Sequence, residues 1–190
     1  MARALKVVPV EALGSVFDGY AHPHEVGAAE PLPSPPERTP LLTAVREFTE
    51  AALRGEYFED FQVNSRNCTA KSGGTQEFGA QLDLLLDRCV AEADTLEPSE
   101  VCSAYELLFD LLREIDRFER DIVFWADEGG TWNFMIQWTR VLPPYFRCLT
   151  KVMSPAELER RARVVLDEVV DDCDKAAVKR LLGQAVQEEG

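Results

Sequence analysis

Side-chain catalysis draws mainly on imidazole, thiolate and carboxylate groups, and this chain distributes them unevenly. Its only histidines, His22 and His24, lie in a proline-rich stretch, so residues 41–190 carry no imidazole. That argues against Ser-His-Asp and Cys-His nucleophile systems, HExxH zinc sites and Glu-x-x-His di-iron pairs, which need a group titrating near neutrality or ligating a transition metal. His22-Pro23-His24 reads as solvated linker rather than as a ligand pair. Five cysteines, Cys68, Cys89, Cys102, Cys148 and Cys173, are odd in number and widely spaced, with no CxxC pair. That usage fits a reducing compartment. Cys89 and Cys148 sit within apolar helix faces, and Cys68 alone has the cationic setting that a reactive thiol needs.

Carboxylates are the remaining route to catalysis. Asp110 and Glu114 stand four apart, and Glu119, Asp121, Asp127 and Glu128 follow. Oxygen ligands in such number could hold Mg²⁺ or Ca²⁺. Arg113, Arg117 and Arg120 are interleaved with them, however, which is the pattern of a salt-bridged, solvated helix face. Asp83, Asp87 and Arg88 read the same way. No cofactor or metal is implied.

Two patches remain. The first is Gln62–Thr75 (QVNSRNCTAKSGGT), which contains no acidic residue. Arg66 and Lys71 supply cations, and Ser72, Gly73, Gly74 and Thr75 lead into a helix start whose free amides could cradle an anion. The order Lys-Ser before the glycines is the reverse of a Walker loop. The second patch runs from Phe124 through Trp125, Asp127, Glu128 and Trp132 to Trp138, Tyr145 and Phe146, and it holds all three tryptophans of the chain. Such density lines a ligand pocket, anchors a partner, or simply fills a core. Gly129-Gly130 would let the chain turn and bring Trp125 and Trp132 together.

The elements that must position these groups are helical. Thr39-Pro40 supplies a cap and a first-turn proline for a helix carrying Leu41, Leu42, Val45, Phe48 and Leu53, ending at Gly55. Thr75 opens a second, with Phe78, Leu82, Leu85, Leu86, Cys89 and Val90 on one face. Glu97-Pro98-Ser99 starts a third through Ile115. The stretch 121–126 (DIVFWA) reads as buried helix or extended core rather than strand. Thr131 caps a helix through Val141, and Pro143-Pro144 break or kink it before Tyr145–Val152. Ser154-Pro155-Ala156-Glu157 is a capping box with proline at the first helical position. The helix after it and a final one capped by Asp174 form a hairpin.

Residues 21–40 hold six of the eleven prolines and no apolar period. They read as an extended linker behind a short amphipathic segment, residues 1–20. The expected fold is all-α: about six helices in a compact bundle or short α-solenoid over residues 41–190, preceded by a Pro-rich N-terminal arm.

With 34 acidic against 20 basic residues the formal net charge is −14. Nucleic acid and anionic membranes demand a basic footprint, so neither is an expected partner. Residues 75–121 carry 13 acidic and 4 basic residues, which leaves an acidic nucleic-acid mimic as a minor reading. No run approaches the about 18 apolar residues of a membrane span, and the N-terminal MARALKVVPVEALG is not a secretory signal. Fifteen arginines against five lysines suggest a GC-rich bacterial genome. The functional expectation is a non-catalytic, adaptor-like interaction protein of the bacterial cytoplasm, binding another protein or a second copy of itself. A small-ligand or anion-binding protein, or an enzyme using the 62–75 loop and carboxylates, is the alternative.

Overall fold

The structure is a computed structural model in which residues 39–126 and 129–188 are described, with side chains through Gly183. The amphipathic segment 1–20 and nearly all of the linker 21–40 lie outside the described residues. Among those described, all regular structure is helical. Six α-helices follow one another: α1 (Leu41–Leu53), α2 (Gly73–Glu92), α3 (Pro98–Arg117), α4 (Trp138–Val152), α5 (Pro155–Glu168) and α6 (Asp172–Glu188). A 3-10 turn, Thr131–Phe134, precedes α4.

Helix α3 packs on α1, α2 and α4, while α4 also meets α2, α5 and α6, so these two form the centre of the bundle. Their buried faces explain why. Val101, Tyr105, Leu108, Phe109, Leu112 and Ile115 recur at steps of three and four along α3 and are almost fully buried. Trp138, Val141, Leu142, Tyr145, Phe146 and Leu149 do the same on α4. The Tyr105 hydroxyl donates to the Val141 carbonyl at 2.9 Å, and its ring lies 5.2 Å from that of Tyr145. A buried phenol needs such a partner, so the polar end of the core is satisfied across the α3–α4 seam.

Several boundaries differ from the sequence expectation, each for a local reason. Pro40 occupies the cap position of α1, and Thr39 instead offers its carbonyl to the Arg88 guanidinium at 2.9 Å. Arg88 is accordingly buried, not part of a solvated face, and it pairs with Glu92 at 2.8 Å. Helix α2 starts earlier than Thr75: the Ser72 hydroxyl accepts from the Thr75 amide at 3.0 Å, making Ser72 the cap. Asp174 lies inside the first turn of α6, and the carbonyl of Asp171 receives its amide at 2.9 Å.

The largest difference is around Pro143 and Pro144. Thr131 starts only the 3-10 turn, and α4 begins at Trp138 and runs unbroken through both prolines to Val152. Proline removes an amide and crowds the preceding turn, yet here the helix is held from outside by its buried face. Residues 121–126 are non-helical: Ile122 and Val123 are buried in the core, Asp121 is exposed, and Trp125 makes an isolated antiparallel bridge with Lys71. The expected ion pairs are present on α3, where Arg113 meets Asp110 and Arg117 meets Glu114, with Arg113 also 3.3 Å from Glu168 on α5. At the start of α5, Glu157 reaches back to the Ser154 amide at 3.0 Å, the returning arm of the capping box.

Candidate functional site: an apolar groove beside the Trp132 turn

The two patches singled out by residue type meet through Lys71. Its ammonium donates to the Asn133 carbonyl at 2.7 Å and stands 5.9 Å from the centre of the Phe134 ring. The loop before α2 is thereby fastened to the 3-10 turn. Thr75 makes a second tie: its hydroxyl donates to the Phe124 carbonyl at 2.9 Å and accepts from the Phe124 amide at 3.1 Å. The Ser72 hydroxyl completes the set by donating to Thr75 Oγ1 at 2.9 Å.

The start of α2 already holds an anion, supplied by the chain itself. Glu59 Oε2 accepts from the Gly74 amide at 2.9 Å, which is the arrangement a helix N-terminus favours. The glycines are what let it in. A Cβ on Gly73 would stand 2.7 Å from that same oxygen, and one on Gly74 only 2.2 Å from the Tyr57 carbonyl oxygen. Arg66 is exposed on the preceding loop, where its amide donates to Asn64 Oδ1 at 2.9 Å. Of the six residues grouped as an anion cradle, Ser72, Gly73, Gly74 and Thr75 are thus brought together. Their polar groups serve Glu59 and the 121–126 segment, while Lys71 turns toward Asn133.

The aromatic patch divides into three environments. Trp138 and Tyr145 are core, on α4. Trp125 is half-buried between Gly129 and the Phe134 ring, whose centre is 5.3 Å away; a Cβ on Gly129 would meet the indole at 2.5 Å. The glycine therefore lies flat on Trp125 and does not carry Trp132 to it. Trp132 points outward, 57% exposed, and Met135 three residues on is 83% exposed. Asp127 and Glu128 lie outside the described residues.

Two features hold the exposed pair in place. Asp116, near the end of α3, accepts from the Thr131 amide at 2.8 Å and from its hydroxyl at 2.6 Å, pinning the start of the turn. Met135 then closes the turn at φ 53°, in the left-handed region that costs a side-chain-bearing residue about 1 kcal/mol. Neither Asp116 nor Met135 was among the residues singled out by sequence. Nothing in the local pattern marks a carboxylate that reaches fifteen positions along the chain, or a methionine that faces water.

Trp132 and Met135 line a groove of about 780 Å³ together with Ile136, Trp138, Asp171 and Asp174. Ile136 and Trp138 are its buried floor. The Trp138 indole N–H points to Asp171 Oδ2 at 3.3 Å, joining the floor to the residue that precedes α6. Cys173 adds an exposed thiol to the lining.

Three charged side chains line the groove, Lys71, Asp171 and Asp174, and charges nearby offset one another in pairs. Lys71 acts on Asp83, whose carboxyl is nonetheless raised above its ordinary value by burial and by Asp87. Arg140 pairs with Asp87 at 2.5 Å, and Lys175 with Asp172 at 2.7 Å. Asp171 and Asp174 make no salt bridge among the described residues, although Asp171 acts on Lys175 at longer range. No group of three or more His, Cys, Asp and Glu suited to a metal ion occurs among them either.

What the fold and the groove define is an all-α bundle with an open, apolar-floored cleft edged by carboxylates. Compared with protein-family models, curated proteins and solved structures, the chain matches none of them.

Proposed function

We propose that this is a non-catalytic interaction protein that holds another protein against the face formed by Trp132, Met135 and the groove beside them. One observation carries the reading. A large apolar pair is presented to water on a turn anchored by Asp116, with Met135 in a backbone conformation that glycine would adopt without strain. Exposed aromatic and methionine side chains around a cleft are what partner anchor points consist of. Helix α4 closes the floor, so the anchors sit on a rigid support rather than on a free loop.

The test is site-specific cross-linking. A photoreactive amino acid placed at Met135 in the full chain, expressed in its native host, should capture one predominant protein. That protein, purified, should bind the wild-type chain, and Trp132→Ala should weaken the complex by at least about tenfold, or about 1.4 kcal/mol. A binary complex indifferent to Trp132→Ala, or no capture at residue 135 alongside capture at a site elsewhere on the surface, would refute the assignment.

A further inference from the structure

We infer that the segment bound in this groove is cationic as well as apolar: an aliphatic side chain flanked by arginine, drawn from a partner protein. The inference rests on the interaction reading above and adds the chemistry of the occupant. It follows from what the cleft leaves unmatched. Ile136 and Trp138 form a floor that only an apolar group covers without stranding a polar one. At the α6 edge neither Asp171 nor Asp174 makes a salt bridge among the described residues; Asp171 accepts from the Trp138 indole and lies within the field of Lys175, which leaves Asp174 the less compensated of the two.

The exposed indole of Trp132, which lines the same groove, offers its face to a planar cation. A guanidinium suits both kinds of group, since it stacks on aromatic rings and donates its N–H groups to carboxylates. An acidic segment would meet Asp171 and Asp174 as like charges, on a chain that already carries −14. Lys71 lines the groove as well, its ammonium held on the Asn133 carbonyl, and it stands as one cation against two carboxylates.

Cys173 makes the occupant measurable, and Cys68 provides the control in the same molecule, since both thiols are exposed and only Cys173 lines the groove. The full chain is alkylated with iodoacetamide in the presence of a short peptide of alternating leucine and arginine. Three comparison peptides carry glutamate for arginine, serine for leucine, or lysine for arginine. The Leu/Arg peptide should slow alkylation of Cys173 by at least about tenfold at saturation and leave Cys68 unchanged, with the lysine version weaker. Asp174→Asn and Trp132→Ala should each reduce the protection, whereas removing equal charge on α1 by Glu50→Gln should not.

Equal protection by the Leu/Glu peptide, or equal slowing at Cys68, overturns the inference. So does a protein captured through residue 135 that meets the groove with an acidic face, an outcome that leaves the interaction reading intact. Failure of capture at residue 135 removes the reading on which the inference rests.

Discussion

Asp116 and Thr131 are joined by two hydrogen bonds, one to the Thr131 amide at 2.8 Å and one to its hydroxyl at 2.6 Å. Through them the last turn of α3 determines where Trp132 points. Asp116→Ala removes both acceptors and leaves the Thr131 amide to find water. Hydrogen bonds to a charged group contribute about 1–3 kcal/mol, so a loss of about 2 kcal/mol in urea unfolding is expected. The same variant should shift the native tryptophan emission as the turn loosens. Unchanged stability with unchanged emission would mean that the turn is held by its apolar neighbours alone.

Met135 separates stability from binding. Its φ of 53° is one that glycine adopts freely, so Met135→Gly should relieve about 1 kcal/mol of backbone strain. Little packing is lost in exchange, since the side chain is 83% exposed. Some of the gain is offset because glycine is more flexible in the unfolded chain. The expected result is a protein at least as stable as wild type, by thermal melt, that binds its partner more weakly. A clearly lower melting temperature would show that the methionine packs for the fold.

Glu59 and the first amides of α2 make a third test. With Glu59 in place, sulfate or phosphate should leave the melting temperature nearly unchanged beyond the general effect of salt. Glu59→Ala empties the helix terminus of its internal carboxylate and should lower stability by about 0.5–1 kcal/mol. Sulfate should then restore part of the loss, by mass action on a newly opened anion site. If sulfate stabilises the wild type and the variant equally, the carboxylate is not what fills the terminus.

The helices were legible because their apolar residues recur at three and four with few competing signals. Val101 through Ile115 on α3 and Leu158 through Val165 on α5 could hardly be anything else. What sequence could not supply was the partner of each polar group. The loop before α2 reads as an anion cradle until Glu59, thirteen positions before Ser72, turns back to fill it. Trp125, Trp132 and Trp138 look equivalent as letters, yet they are half-buried, exposed and core. Tertiary packing decides which is which: Trp138 faces the core from α4, Trp125 lies against Gly129 and Phe134, and Trp132 stands out from the 3-10 turn. Pro143-Pro144 misled for the same reason: local propensity argues for a break, and the buried face of α4 overrides it.

The core thiols bear on alkaline stability. Burial pushes both Cys89 and Cys102 up to about 12, with nearby carboxylates and Cys148 acting in the same direction. In the unfolded chain these thiols titrate near their ordinary value of 9.0. Below that pH both states keep the protons, and the stabilisation is fully present. As pH rises above 9, the unfolded chain releases its protons first, so unfolding becomes progressively easier until the folded thiols would themselves ionise. The slope should reach up to about 1.4 kcal/mol per pH unit for each thiol. Tyr105 and Tyr145, also raised by burial, add to it at higher pH. Urea denaturation should therefore show a midpoint falling steadily from pH 9 to 11. Cys89→Ala with Cys102→Ala should lower stability at pH 7 by opening small cavities, but the gap to wild type should narrow as pH rises. A gap that stays constant across this range would mean that the thiols ionise alike in both states, and the alkaline loss would then belong to the tyrosines and to repulsion within a chain of such high negative charge.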